Sequence, residues 1–115
     1  WRIIQGDFYP FDQQKVLGLI KRALQRGFNP AGNGRQLAAI LDSPDRTAAL
    51  HTLKIPSLIL HGENDPLVLV ACGHATANAI PNSKIKTYPG MGHTIPSQLY
   101  NDITRQILQH IKHVT

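Results

Sequence analysis

Residues 55–68 read IPSLILHGENDPLV, and this stretch decides the fold. Its apolar run, Ser57 to His61, is stopped at once by Gly62 and by a polar turn that reaches Pro66. Apolar runs without polar alternation are typical of parallel strands, because helices cover both of their faces. The stretch therefore predicts a buried parallel strand followed by a loop.

The same order of elements then occurs a second time. A helical stretch covers about residues 70–80, and a second short strand covers residues 84–88. The last element is an amphipathic helix with Ser97 as its expected N-cap. Its apolar residues lie four positions apart: Leu99, Ile103, Ile107 and Ile111. This β-α-β-α order implies two parallel strands joined by a right-handed crossover.

Residues 1–54 are expected to be mostly helical. Residues 1–11 are aromatic and broken by glycine and proline, so we predict an irregular lead-in there. Asp12 as N-cap and a helical apolar spacing predict a helix that ends at Gly27. Further along, turn residues predict a loop over 29–34, and short helices are predicted over about 35–41 and 45–53.

Composition limits the classes of function. A chain of 115 residues with 42% apolar residues suits one modest core. Its single cysteine, Cys72, excludes an internal disulfide framework and is expected to pack within the crossover helix. The net charge is +5, and several basic residues fall on one predicted helix: Lys15, Lys21, Arg22 and Arg26. Without interleaved aromatic residues, this pattern favours a solvated helix face over a nucleic-acid surface. No stretch of the sequence predicts a membrane span.

Two titratable residues follow the two predicted strands. Asp65 lies in the loop after the first strand, and His93 lies in the loop after the second, between Gly92 and Thr94. The carboxyl ends of adjacent parallel strands meet at one edge of a sheet, so these loops should lie together. An aspartate that accepts the Nδ1–H of a histidine fixes its tautomer, which is the supporting half of a nucleophile–histidine–acid triad.

Each candidate has a simpler interpretation. Asp65 could have no role beyond stabilising the turn before Pro66. Glu63 is a rival acid on the same loop, and His93 could be an ordinary surface histidine. His61 at the strand end is expected to be packed and hydrogen-bonded.

Four further residues, near the chain end or beside His93, remain. His110 and His113 are spaced for a metal, but with no third ligand they favour an interaction with the helix C-terminal dipole. Met91 and Thr94 flank the histidine and are expected to line the site.

With both loops in place, the chain resembles the C-terminal portion of α/β-hydrolase-fold enzymes. The matching segments are residues 55–68, AIPNS at 79–83 and GMGH at 90–93. The resemblance implies that Asp65 is the triad acid and His93 the general base. Upstream, NPAG at 29–32, RQLAAI at 35–40 and Asp45-Arg46 are similar to the cap region of the aclacinomycin methylesterase-like group. In that group an acidic residue commonly follows the histidine, whereas Thr94 stands here.

One motif of that family is missing from the sequence. The nucleophile elbow G-x-S-x-G surrounds none of the four serines, which are Ser43, Ser57, Ser83 and Ser97. In the family the nucleophile precedes the acid and the histidine, so we expect it, with the oxyanion hole, before Trp1. The resemblance then implies a fragment of a serine-type ester hydrolase that works through an acyl-enzyme and is inactive alone. The alternative is a non-catalytic interaction or regulatory fragment with a hydrolase-fold remnant.

The expected organisation is therefore an α/β one, with a helical cap-like segment over residues 1–54 and a hydrolase-core part over residues 55–115. No metal or organic cofactor is implied, and the small-molecule partner would be an ester. Two short strands leave unpaired backbone groups at their outer edges. We therefore expect a polypeptide partner, either the missing N-terminal half or a second copy, and neither nucleic acid nor membrane.

Overall fold

The computed structural model describes residues 1–114. Its helices are α1 (Arg2–Gln5), α2 (Gln13–Arg26), α3 (Pro30–Leu41), α4 (Thr47–His51), α5 (Val70–Ala79) and α6 (Tyr100–Val114). Its strands are β1 (Ser57–Gly62) and β2 (Ser83–Tyr88), and a 3₁₀ turn covers Ser97–Leu99. Residues 1–11 and the chain from Thr47 onward form one compact unit, and Asp12–Arg46 form a second. These units do not coincide with the predicted boundary after residue 54.

The first unit is built on a parallel pair of strands. β1 pairs with β2 in continuous register, from Ser57 opposite Ser83 to Gly62 opposite Tyr88. The helix α5 connects the strands and contacts both of them. The predicted β-α-β-α order is confirmed, with each strand one residue longer than expected.

The apolar core of this unit lies at the carboxyl end of β2. Tyr88, Met91 and Ile103 are buried together, and half-buried apolar residues pack around them: Tyr9, Leu60 and Leu99. Tyr88 ends β2, and Met91 lies in the loop that follows. The core therefore anchors the start of the loop that contains His93.

The outer side of β1 is incompletely covered. Ser57 to His61 are all only half-buried, and among the described residues β1 pairs with β2 alone. A groove of about 490 Å³ runs between the start of β1 and α6. It is lined by Pro56, Ser57, Leu58, Leu60, Ile107 and His110. Apolar surface is thus exposed where a buried strand would need cover.

The second unit contains α2 and α3. Asp12 caps α2 as predicted, since its carboxylate accepts the amide of Lys15 at 2.9 Å, and α2 ends at Gly27 with a positive φ of 126°. The predicted loop over residues 29–34 is wrong, because α3 already begins at Pro30. A proline at the first helical position has its φ preset and needs no N–H partner, which outweighs the two glycines that follow.

Three smaller expectations also need correction. Residues 1–11 are not wholly irregular, because they contain α1. Ser97 does not cap α6 but begins a 3₁₀ turn, and α6 starts at Tyr100. Cys72 is exposed and not packed, because the buried residues of α5 are Gly73 and Ala79. No helix in the described part of the chain is long and apolar enough to cross a membrane.

Candidate active site

The loop after β1 passes very close to the loop after β2, and Gly62 makes this approach possible. A Cβ atom on Gly62 would lie 2.2 Å from the carbonyl oxygen of Met91 and 2.5 Å from that of Gly92. Real Cβ contacts are never this short, so any other residue would push the two loops apart. The glycine that ends the apolar run therefore has a packing role between the two candidate loops.

Asp65 is buried, and both of its oxygens are used. Its Oδ1 accepts the backbone amides of Leu67 at 2.8 Å and of Val68 at 2.9 Å. Burial by itself would raise the pKa of Asp65, but hydrogen bonds from Val68, His93 and Leu67 outweigh it and hold the pKa below its ordinary value. Asp65 is therefore an ionised carboxylate at neutral pH.

His93 lies against the second oxygen of that carboxylate. The Nδ1 of His93 is 2.9 Å from the Oδ2 of Asp65. An ionised carboxylate only accepts hydrogen bonds, so the donor is Nδ1–H, and in the neutral ring Nε2 is left as the proton acceptor. The His93 side chain is 38% exposed and that of Asp65 only 6%. The strand order predicted this encounter, and the structure brings the two side chains together.

Asp65 both stabilises a turn and orients His93, and it uses a different carboxylate oxygen for each role. Oδ1 stabilises a turn that runs through Pro66 to Val68, and not one before Pro66 as expected, while Oδ2 accepts a hydrogen bond from His93. The rival acid, Glu63, lies elsewhere: its Oε1 accepts the hydroxyl of Thr87 at 2.7 Å. Of the two carboxylates on this loop, Asp65 is the one paired with His93.

Sequence reasoning missed the residue that joins the two loops, Asn64. Its side-chain oxygen accepts a hydrogen bond from the backbone N–H of Gly90 at 2.9 Å. Its backbone N–H donates to the carbonyl of Met91 at 3.0 Å. One residue earlier, the amide of Glu63 donates to the carbonyl of Tyr88 at 3.1 Å. An asparagine beside Gly62 and Asp65 gave no signal of its own, since its partners are distant in sequence.

Sequence reasoning also missed the contribution of residues 1–11. The backbone amide of His93 donates to the carbonyl of Ile4 at 2.7 Å, although the two residues are far apart in the sequence. A segment without periodicity does not reveal in its own sequence which surface it contacts.

An open cleft of about 330 Å³ adjoins the pair. Its lining consists of Leu60, His61, Gly62, Asp65, Val68, Met91, Gly92, His93, Ile95 and Ile103. Met91 lines the cleft as expected, but Thr94 does not. The Thr94 hydroxyl is instead buried, with no hydrogen-bond partner among the described residues. Beyond the Asp65–His93 pair and His61, the lining side chains are apolar.

Two other histidines, His61 and His113, bond to nearby backbone carbonyls. His61 is half-buried, with its Nδ1 2.9 Å from the carbonyl of Gly62, which agrees with the packed interpretation. His113 lies 2.7 Å from the carbonyl oxygen of Gln109, a group near the end of α6. Within residues 1–114, no group of three or more His, Cys, Asp or Glu side chains is placed to bind a metal ion.

A polar network fixes α6 to the end of β2. The Tyr88 hydroxyl donates to Asp102 at 3.0 Å, and Lys86 lies 2.9 Å from the same carboxylate, which also pairs with Arg105. The hydrogen bond from Lys86 is the largest cause that lowers the pKa of Asp102, to about 2. Burial, followed by the bond to Asp102, raises the pKa of Tyr88 to about 12.

Parts of several known proteins are similar in sequence to this chain. No family model matches the chain. Over 69 residues it is 36% identical to a bifunctional esterase/perhydrolase of Acinetobacter calcoaceticus, covering 59% of this chain and 25% of the relative. Over 96 residues it is 32% identical to a monoacylglycerol lipase of Mycolicibacterium smegmatis, covering 76% of this chain and 33% of the relative. A non-heme haloperoxidase of Rhodococcus erythropolis is 24% identical over 115 aligned positions, covering 96% of this chain and 42% of the relative.

A solved structure shows the same fold. An esterase from a Rhodococcus species matches with a TM-score of 0.58 and 25% sequence identity, over 68% of this chain and 29% of that one. The chain thus spans between a quarter and about two fifths of the length of these relatives. Its two parallel strands and helices have the fold of a C-terminal portion of an α/β-hydrolase.

Proposed function

We propose that this chain supplies the acid and the general base of an ester-hydrolysing α/β-hydrolase. The observation on which this rests is the 2.9 Å hydrogen bond between His93 Nδ1 and Asp65 Oδ2, at the ends of adjacent parallel strands. The names of the relatives, which include esterases and a lipase, support an ester as the substrate class. The narrower likeness to the aclacinomycin methylesterase group, with residues 1–54 as a cap, stays part of the proposal.

The geometry suits acyl-enzyme chemistry. Asp65 fixes the proton on Nδ1, so the His93 Nε2 accepts the proton of a serine hydroxyl while the serine oxygen attacks the ester carbonyl. His93 then gives that proton to the departing alcohol oxygen, and an acyl-serine remains. Water attacks the acyl-serine with His93 again as base, which releases the acid and restores the serine.

The serine is expected outside this chain. Each serine in the sequence lacks a nucleophile elbow, and Ser57 and Ser83 lie at the opposite end of the strands from Asp65 and His93. The chain by itself should therefore bind an ester weakly and turn none over. The apolar lining of the cleft favours esters with an apolar acyl or alcohol part.

Hydrolysis of p-nitrophenyl butyrate tests this proposal. We expect no turnover by the chain alone and restored turnover when it is joined to the upstream polypeptide of the longer protein. His93→Ala in the joined protein should abolish the activity. Full activity of that variant would contradict the assigned role of the histidine.

A second candidate function is a non-catalytic interaction or regulatory fragment. The observation that favours it is the missing nucleophile elbow, together with the apolar surface left beside β1. The joined protein distinguishes the two functions. A joined protein without esterase activity, in which the fragment still binds its partner, would favour this second function.

The polypeptide partner is also a proposal. The unpaired edge of β1 and the groove beside α6 would be covered by the remainder of a longer protein or by a second copy of the chain. No nucleic-acid or membrane partner is proposed.

A further inference from the structure

The N-terminal strap, defined here as residues 1–11, packs on the histidine loop, defined as residues 89–93. The Tyr9 hydroxyl donates to the carbonyl of Pro89 at 3.2 Å. Gly90, at a φ of +75°, lies so close to Phe8 that a Cβ would be 2.2 Å from the ring. The strap therefore contacts the first two residues of the histidine loop, Pro89 and Gly90.

The contact continues up to the histidine itself. A Cβ on Gly92 would be 2.3 Å from the carbonyl oxygen of Gln5 and 2.5 Å from that of Ile4. The amide of His93 donates to the Ile4 carbonyl at 2.7 Å. Two backbones approach each other here without an intervening side chain, which only a glycine permits.

The strap is closed on itself and is anchored in the core. Gln5 is buried, and its side-chain amide donates to the carbonyls of Tyr9 at 3.2 Å and Pro10 at 3.3 Å. The Tyr9 side chain packs on the core cluster of Tyr88, Met91 and Ile103. The surface that meets the histidine loop is therefore shaped by buried contacts.

Among the described residues, the backbone–backbone hydrogen bonds between the two loops end at Met91, and beyond it the loops are joined by the side chains of Asp65 and His93. The backbone N–H of Asn64 donates to the Met91 carbonyl. The next backbone hydrogen bond along the histidine loop, among the described residues, runs from the His93 N–H to the Ile4 carbonyl. Asp65 is fixed independently, by the amides of Leu67 and Val68. The backbone amide of His93 is thus bonded to the strap and not to the loop that carries Asp65.

We propose that the N-terminal strap is a positioning element that holds the backbone of His93 so that its Nδ1–H meets Asp65. The inference deepens the proposed function and rests on it for its catalytic meaning. The positioning contacts are made by Ile4, Gln5 and Tyr9, which are distant in sequence from His93. A strap with only a stabilising role would leave the geometry of the His93 ring unchanged once the chain has folded.

The variant Gly92→Ala tests the strap directly, because its Cβ forces the Ile4 and Gln5 carbonyls away from the loop. Gly34→Ala is the matched control, since a Cβ there meets nothing within 4 Å. Both changes add one methyl group to the full chain. The readout is the ¹⁵N-histidine NMR spectrum, which reports the tautomer of His93 and the solvent exchange of its Nδ1 proton.

In the native chain and in Gly34→Ala we expect one Nδ1–H tautomer with a protected proton. In Gly92→Ala that proton should exchange about tenfold faster, the factor expected for the loss of one hydrogen bond to a charged group, and both tautomers should be populated. An unchanged His93 spectrum in a folded Gly92→Ala chain would overturn the proposal. So would an equal change in Gly34→Ala.

If Gly92→Ala does not fold, Gln5→Ala decides. It removes the bonds that close the strap and leaves the histidine loop itself unaltered, so the same loss of protection is expected, and native-like His93 signals would refute it. Failure of the proposed function is recognised separately. It would appear as a joined protein without esterase turnover, while the Nδ1 proton of the chain still responds to Gly92→Ala.

Discussion

Replacing Asp65 by asparagine should destabilise the chain by about 1.5 kcal/mol at neutral pH. The asparagine oxygen can still accept the amides of Leu67 and Val68, so the turn survives. The side-chain NH₂ would then face Nδ1 of His93, which can accept it only in the Nε2–H tautomer, so the bond from Nδ1–H to a charged carboxylate is lost. A hydrogen bond to a charged group contributes ~1.5–3 kcal/mol, and exposure of over a third of the His93 side chain places this one at the lower end.

Urea unfolding of the chain, followed by circular dichroism, measures this loss. Asp7→Asn is the control, because Asp7 is exposed and its replacement should stay within about 0.5 kcal/mol of the native chain. A native-like stability for Asp65→Asn, or an equal loss in both variants, would refute the argument that Asp65 Oδ2 is committed to His93.

The pH dependence has a defined sign. The folded pKa of Asp65 lies below its ordinary value of 3.8, so its carboxylate stabilises the folded chain fully above that pH. The contribution is lost as the pH falls through the lower, folded value. The stability difference between the native chain and Asp65→Asn should therefore persist above pH 3.8 and shrink below it. A difference that grows on acidification below that pH would contradict the assignment.

Three further predictions concern glycine packing, the histidine and the open strand edge. Gly62→Ala should lower the free energy of unfolding by ~1–3 kcal/mol, since its Cβ meets backbone oxygen atoms, whereas Gly34→Ala within α3 should raise it by about 0.5–1 kcal/mol. Urea unfolding measures both changes, and two changes in the same direction would contradict the prediction. His93→Ala should remove nearly all esterase turnover of the joined protein and, because it breaks the same hydrogen bond, lower the free energy of unfolding by about as much as Asp65→Asn; a much larger loss would point to a packing role for His93. Light scattering at several concentrations should show association through the β1 edge, and a single species of 12.7 kDa with cooperative melting would show that the chain closes its own core.

The strand pair and the candidate site were predictable because they follow from local signals. An apolar run stopped by Gly62 identifies a buried strand, and parallel strands place their following loops at one edge. The start of α3 does not follow as clearly from the sequence, because Gly32 and Gly34 disfavour a helix while Pro30 favours the first helical turn. The strap was missed for a different reason, since its partners lie far away in the sequence and residues 1–11 have no periodicity.

The register of the strands determines whether Asp65 can reach His93. Gly62 and Tyr88 are the last paired residues, and the two loops leave the sheet side by side from there. Asp65 follows three residues after Gly62, and His93 five residues after Tyr88. A slip of one residue would move one loop by about 3.3 Å, more than a hydrogen bond of 2.9 Å can absorb. The bond that Asn64 accepts from Gly90 and the bond that it donates to Met91 oppose such a slip, and Gly62 permits the close approach that they require. The pairing of acid and histidine thus requires this sheet register, and residues that stabilise the register also stabilise the site.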